Sequence, residues 1–433
     1  MPVAELLAPA GTLRNLHHAL AYGADAVYAG VPRYSLRVRN NDFDLANLAL
    51  GIEAAHRAGR KLFLAANLLP HDAKVKTFMA DLEEVVALAP DALIMADPGL
   101  IMQVRERWPQ MPIHLSVQAN TMNHAAVRFW ASVGVSRVIL SRELSLDEVA
   151  SIRQACPDTE LEVFVHGALC IAYSGRCLLS GYFNHRDANQ GACTNACRWE
   201  YKVGPSNEAG GSITPAACGG VERHPQAQGE WLLEEAGRPG EAMPVEEDEH
   251  GTYILNSRDL RAVEHIGRLV AIGVDSLKIE GRTKSHYYVA RTVQIYRQAI
   301  DDAVAGRPFD TTLLGRLEGL AHRGYTDGFY QRHHSHEYQN YMEGCSQSGQ
   351  QQFVAEITAY DDSQGLAWLE VKNRFSVGDT LELIVPHGNR RFRVAELYAQ
   401  DGSRIEVAPG SGHRVALPLP PADYRYALLA RDL

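Results

Sequence analysis

Between residues 5 and 165 the chain alternates short apolar runs with amphipathic stretches, and this alternation limits the fold more than any other feature. The runs are Glu5–Ala8, Ala26–Ala29, Lys61–Ala66, Ala92–Ala96, Ile113–Val117, Arg137–Leu140 and Leu161–Val165. Leu13–Tyr22, Leu45–Ala58, Val75–Leu88 and Ser145–Ala155 have helical spacing, and Gly23, Gly59, Pro90, Gly134 and Pro157 mark the joins. Strands that alternate with helices pair in parallel, because the crossover helix carries the chain back to the start of the next strand. An eighth run, Ser276–Glu280, follows a long excursion. Eight such units predict an α/β fold, a (β/α)8 TIM-like barrel. The runner-up, a doubly wound open sheet, lacks a G-x-G-x-x-G turn after its first strand.

The character of the chain changes past residue 330. Tyr287–Ala305 and Leu314–Leu320 read as the last helices. Residues 331–351, rich in His, Gln, Ser and Tyr, read as a linker. Beyond it, Phe353–Thr358, Leu366–Val371, Thr380–Ile384, Phe392–Leu397, Ile405–Val407 and Arg414–Ala416 are short strands separated by turns. They predict a small all-β barrel or sandwich over 352–433, behind a catalytic domain over 1–330. An insertion at about 186–256 is expected to be hairpin-like, with a solvated acidic spacer. The turn Pro386–Arg393 is expected to present Arg390, Arg391 and Arg393, as a solubilising tip or a phosphate contact.

Four of the seven cysteines lie within 28 residues, at Cys170, Cys177, Cys193 and Cys197, immediately after the seventh strand. Thiolates are soft ligands that select zinc, copper(I) or iron–sulfur clusters. Only the last pair approaches the tight knuckle of a structural zinc site. Ligands scattered on a long loop suit a cluster, which is approached from several directions. On spacing alone a cluster is favoured, with zinc or no metal left open. The start MPVAELLAPAG has no basic segment leading into an apolar one, and no run of 18 apolar residues occurs. No signal peptide and no membrane span are therefore expected, and a cytoplasmic setting follows. In that setting a cysteine cluster is more often metal-binding or catalytic than disulfide-forming.

A barrel of this kind places its active site at the C-terminal ends of the strands. Alternate residues of each strand point inward, and polar residues recur with that alternation: Glu5, Asn67, His114, Ser116, Gln118, Glu162, His166, Lys278 and Glu280, with Asp97, Arg142, Glu143 and Arg282 at or just beyond strand ends. His166, Glu280 and Asn67 are the candidates for acid–base work. Arg142, Arg282, Gln118 and Arg176 are those for substrate contacts, because guanidinium groups bind carboxylates through two parallel hydrogen bonds. A single polar strand-end residue is more often a structural support than a catalyst, so the set carries more weight than its members. No Ser-His-Asp order, H-E-x-x-H or phosphate-binding loop sequence is present. The net charge of −10 argues against wholesale nucleic-acid binding, although Glu230–His250 alone holds eight acidic residues and one basic. Local basic surfaces elsewhere are compatible with that balance.

The segments VFVHGALCIAYSGRCLLS and NQGACTNACRWEY resemble the signature of the collagenase-like peptidase family U32. ELLAPAG, ADAVYAG and SLKIEGR fit the same family, so the resemblance spans most of residues 3–330. The tail EVKNRFSVGDTLEL resembles the C-terminal β-domain of the family's tRNA-modifying members, which the short members acting in oxygen-independent ubiquinone synthesis lack. The resemblance implies hydroxylation without molecular oxygen: wobble uridine in the tRNA anticodon loop becomes 5-hydroxyuridine, with prephenate as hydroxyl source. It also implies a [4Fe-4S] cluster on Cys170, Cys177, Cys193 and Cys197, with Cys218 an alternative to Cys197 because one relative takes its fourth cysteine from further along. The β-domain, with Arg258, Arg261, Lys284 and Arg291, would hold the RNA, and electron-transfer or cluster-assembly proteins would be further partners. The alternatives are a U32-type peptidase, a related hydroxylase acting on ribosomal RNA or a quinone precursor, and a non-catalytic RNA-binding adaptor. The sequence offers no protease constellation.

Overall fold

The computed structural model describes residues 4–35, 42–169, 258–322, 324–331 and 351–433, with the backbone of 231–234, 242–248 and 251–253. Seven parallel strands come first: β1 (Glu5–Pro9), β2 (Ala26–Gly30), β3 (Lys61–Ala65), β4 (Ala92–Met95), β5 (Ile113–Leu115), β6 (Arg137–Ile139) and β7 (Glu160–Ala168). The excursion carries β8 (Trp231–Glu234), β9 (Ala242–Asp248) and β10 (Gly251–Tyr253), which form a three-stranded antiparallel sheet in the order β10-β9-β8. Its acidic segment is therefore not a plain spacer as expected. Paired backbone satisfies its peptide groups, whatever the charge of the side chains. The chain re-enters through β11 (Asp259–Arg261), antiparallel to the end of β7. Then β12 (Ser276–Ile279) pairs in parallel with both β7 and β1 and closes the eight-stranded barrel. A short strand, β13 (Tyr325–Thr326), lies parallel to β11 outside the ring.

The crossovers are α1 (Leu13–Ala21), α2 (Leu45–Arg57), α3 (Asp72–Ala87), α4 (Pro98–Arg107), α5 (His124–Ser132), α6 (Leu146–Ala155) and α7 (Ile266–Ile272). After β12 come α8 (His286–Val304) and α9 (Thr312–Glu318). Side chains that accept from first-turn N–H groups set six of the starts: Thr12, Asp44, Asp97, Asn123, Ser145 and Ser285. Each such cap satisfies a donor that the helix itself leaves open. Asp97 thus has a structural duty at its strand end. Helices α4 and α5 were not among the sequence-marked stretches, and each exposes a large apolar residue, Met102 and Phe129, which blurs its periodicity. No described helix is long and apolar enough to cross a membrane.

The C-terminal part is all antiparallel β: β14 (Gln351–Asp361), β15 (Leu366–Val371), β16 (Phe375–Ser376), β17 (Thr380–Val385), β18 (Gly388–Arg393), β19 (Leu397–Ala399), β20 (Arg404–Ile405), β21 (Val407–Ala408), β22 (Arg414–Pro418) and β23 (Leu428–Asp432). Eight of these form one sheet, ordered β18-β17-β23-β14-β15-β22-β19-β20, and β16 pairs with β21. The expected strand Phe392–Leu397 is two strands here, and the expected arginine turn is mostly β18. The last strand, β23, was not anticipated, yet it lies between β17 and β14. This domain has its own apolar core, while Ile384, Leu428 and Ala430 join the core of the barrel.

The domains dock along α1 and α8. Arg291, 2% exposed, donates from Nη1 and Nη2 to the two carboxylate oxygens of Glu382 at 2.9 and 3.0 Å. Tyr287 stacks on Phe353 with ring centres 4.8 Å apart, and the Tyr22 hydroxyl reaches the carbonyls of Ile384 and Tyr426. The expected RNA contact at Arg291 is corrected by this arrangement, since a guanidinium sealed against a carboxylate inside the chain is not offered to phosphate. Arg261 is likewise engaged, paired with Glu318 and set over the Tyr325 ring.

Candidate active site

The lumen fills from the bottom with charge. Side chains two apart on a strand point the same way, so Glu162 and Phe164 of β7 share one face. Arg137 on β6 donates to Glu5 at 2.6 Å, to Glu162 at 3.2 Å and to Glu160 at 2.8 Å. Lys278 on β12 donates to the other Glu162 oxygen at 2.7 Å, and Ser276 reaches Glu5 at 3.2 Å. Glu162 is fully buried, and Arg137 and Lys278 nearly so. Burial opposes the charge on Arg137, but the carboxylates of Glu162 and Glu5 outweigh it and hold the guanidinium charged. Burial also pulls the Lys278 ammonium below its ordinary range, against the attraction of Glu162. His114 lies in the same layer, edge-on to Phe63, held neutral by burial and by the nearby Arg137. Glu5, Glu162 and Lys278 are therefore a closed ionic ladder beneath the mouth. Arg137, which the sequence reading did not single out, is its hub.

Above the ladder, cations sit over aromatic faces. Lys278 Nζ lies 4.4 Å from the Tyr28 ring centre and 5.4 Å from that of Phe164. The Arg142 guanidinium lies 3.8 Å from the Phe164 centre, and that of Arg282 lies 5.8 Å from the Tyr28 centre. Such contacts hold a cation through the negative face of the ring. Arg142 Nη1 donates to the Ala168 carbonyl at 2.9 Å, and Nη2 stands 3.7 Å from Glu280. Its Nε is buried with no partner among the described residues. Arg282 donates to Ser35 at 2.5 Å. It passes so close to Gly30 that a Cβ there would lie 2.8 Å from its Nη1 and 2.7 Å from the Ser35 hydroxyl, so a side chain at this position would displace the arginine or its serine partner.

Across the mouth is a chain of neutral polar groups. Asn67 donates to the Ser116 hydroxyl at 3.3 Å, which in turn donates to the side-chain amide oxygen (Oε1) of Gln118 at 3.3 Å. The Gln118 amide nitrogen is buried without a partner among the described residues. An orphaned donor of this kind costs free energy until a ligand accepts from it. Cations on one side and amide donors on the other suit a small anionic molecule rich in acceptors.

The structure brings Arg142, Glu280 and Arg282 to the cationic side and Asn67 and Gln118 to the other. It places His166 elsewhere. Beyond the irregular pairing at Lys278 and Ile279, the His166 ring faces α8 and β13, among Tyr288, Tyr296 and Tyr325, with Nδ1 3.2 Å from the Tyr296 hydroxyl. Burial pushes its pKa down to about 3. Among the described residues, Glu264, His265 and Asp327 bring ligand-type atoms within 4.8 Å of one another, but His265 is in hydrogen-bond and ion-pair contact there. Cys170, Cys177, Cys193, Cys197, Cys218 and Arg176 lie outside the described residues. Tyr28 and Phe164, the platforms for the cations, were missed. The signal was present for Phe164, which stands two residues after Glu162 on the same strand.

Residues 11–340 match the sequence profile of peptidase family U32, and residues 349–431 match that of its C-terminal domain. The chain is 58% identical over 438 aligned positions to the tRNA hydroxylation protein P of Escherichia coli, covering 99% of this chain and 96% of that protein. It is 32% identical to a 23S rRNA 5-hydroxycytidine synthase of the same organism, over 75% of this chain and 45% of that one. It is also 26% identical to a protein named collagenase from Porphyromonas gingivalis, over 99% of this chain and 98% of that one.

Proposed function

The chain belongs to peptidase family U32, and from that premise we propose that it is a tRNA uridine hydroxylase that works in the cytoplasm without molecular oxygen. The observation that carries this reading is the likeness to the tRNA hydroxylation protein P across both domains, at 58% identity and nearly full coverage. The second likeness, to an enzyme named for a hydroxylated cytidine in ribosomal RNA, supports hydroxylation of a pyrimidine as the common chemistry. A peptidase reading has no Ser-His-Asp order or H-E-x-x-H motif behind it, and the Ser141 hydroxyl, which donates to Glu143 just beyond β6, has no imidazole base among its described hydrogen-bond partners.

In the proposed reaction the wobble uridine of the anticodon loop becomes 5-hydroxyuridine, with prephenate as donor. A base in a loop is already outside a continuous stack, so presenting it to a barrel mouth is not prohibitive. Prephenate carries two carboxylates, and the mouth offers Arg142 and Arg282 to bind them. Gln118 and Asn67 would hold neutral acceptors on the opposite side, and Glu280 would keep Arg142 oriented or move a proton beside it. His166, neutral behind the wall, would steady the β7 end that leads into the cysteine loop. Four thiolates in the order of Cys170, Cys177, Cys193 and Cys197 are a donor set chemically suited to a [4Fe-4S] cluster. Such a cluster would supply redox or Lewis-acid chemistry at the mouth.

The test is mass spectrometry of nucleosides from total tRNA, comparing cells without the protein and cells in which it is restored, both grown without oxygen. Loss and return of 5-hydroxyuridine derivatives is expected. Unchanged nucleosides would remove tRNA as the substrate and turn attention to ribosomal RNA or a quinone precursor.

A further inference from the structure

An acidic protein that acts on a polyanion must present a local path of positive charge. One lies where the β-domain meets the rim of the barrel. Arg14, in the first turn of α1, pairs with Glu356 on β14. Glu356 stands opposite Glu370 on β15, and Glu370 stands opposite Arg414 on β22. Directly opposed residues share one face of a sheet, so these three side chains form a row that begins at Arg14. Lys372, two residues past Glu370 and on the same face, pairs with it. The Glu370 carboxyl is held below its usual range first by the hydrogen bond from Lys372, then by the charges of Lys372, Arg14 and Arg414. Arg374 follows in the next turn, exposed like Arg414 and its neighbour His413.

Three cations thus face two carboxylates, with Arg374 exposed in the adjoining turn, in a chain whose overall charge is −10. The row leads to the mouth. The Asn15 side chain, next to Arg14, donates to the Lys284 carbonyl at 2.9 Å, and Lys284 lies two residues from Arg282. The exposed arginines of β18 lie away from this row. Gln294, more than two turns along α8, bonds to Val385 and Asn389, so the β17–β18 tip sits towards the far end of that helix.

We propose that the seam of Arg14, Lys372, Arg374 and Arg414 is the track on which the backbone of the RNA substrate lies as a base enters the barrel mouth. The inference rests on the reading of the protein as a tRNA hydroxylase and names the surface that reading requires. Phosphate contacts of this type carry no sequence information and fix orientation. They explain how both domains take part in one reaction.

The experiment is fluorescence anisotropy of an unmodified tRNA transcript titrated with the anaerobically purified full chain at several salt concentrations. The comparison variants are K372E/R374E/R414E and the milder K372Q/R374Q, with R390E/R391E as a control on β18. Circular dichroism melts check that each variant is folded. The seam reversal is expected to weaken binding about tenfold or more near physiological salt and to flatten the log–log salt slope by about two. The neutral pair should give a smaller loss in the same direction, and the β18 control should bind as wild type. Wild-type binding that both seam variants retain overturns the track and leaves the hydroxylase reading standing. Failure of the wild type to bind any tRNA overturns both. Binding to vesicles containing phosphatidylserine but not to tRNA assigns the seam to a membrane surface and also overturns the proposal.

Discussion

The guanidinium carbon of Arg142 stands 3.8 Å from the centre of the Phe164 ring, at the point where β7 leaves the barrel. The ring holds the planar group in place, the Ala168 carbonyl takes one N–H, and Glu280 lies beside another. Lysine keeps the charge but loses the plane and the fork. Arg142→Lys is expected to lower hydroxylation at limiting donor by roughly 10- to 100-fold, about 1.4–2.8 kcal/mol, with much of the loss recovered at high donor concentration. Initial rates against prephenate concentration check this; an unchanged KM would remove Arg142 from the donor site.

The Lys278–Glu162 pair lies below the mouth and makes a different prediction. Glu162→Gln leaves a buried ammonium without its counter-charge and should cost about 3–5 kcal/mol of stability. Replacing both residues with apolar ones should cost less than the sum of the single changes, because neither charge is then stranded. Urea unfolding of the two single variants and the double variant measures this coupling.

His166 sets a pH dependence. Its pKa is about 3 in the folded chain, pushed down by burial, against an ordinary value of 6.5. Between those values the unfolded chain binds a proton that the folded chain refuses. The contribution to stability is therefore intact above pH 6.5 and is lost as pH falls towards 3, at about 1.4 kcal/mol per unit. Melting temperatures of wild type and His166→Phe, measured from pH 7 to pH 5, should draw together as pH falls. Parallel curves would show that the ring is not held neutral.

At the domain junction, Glu382→Ala strands the buried Arg291 guanidinium. A loss of about 3–5 kcal/mol is expected. It should appear as faster proteolysis near the junction at residues 331–351, with the barrel itself left resistant. Limited trypsin digestion followed by mass spectrometry reads this directly.

For the metal, Cys193→Ser and Cys170→Ala should each lose iron, the visible absorbance of a cluster and 5-hydroxyuridine together. Iron analysis and nucleoside mass spectrometry on the same preparations make the comparison. Full activity in protein without iron would separate the cysteines from the reaction, and Cys218→Ser with iron retained would remove that residue from the ligand set.

The strand and helix alternation, the eighth strand and the late switch to short strands were legible in the chain because they depend on local periodicity. A strand of alternating or continuous apolar residues declares itself whatever lies around it. The mouth was legible for the same reason: residues at strand ends are located once the strands are. Arg137 was not, because a lone arginine at the start of a strand looks like surface until three carboxylates from two other strands close on it. His166 shows the same limit. It follows Glu162 and Phe164 in step, but the irregular pairing with β12 turns its ring out to the tyrosines of α8 and β13. Arg291 reads as a free cation on a helix until Glu382, 91 residues later, covers it. The amino-acid sequence determined which elements form and in what order, through contacts short in sequence. Only the tertiary structure decided which charges are sealed and which face a ligand, because that depends on partners brought together from distant parts of the chain.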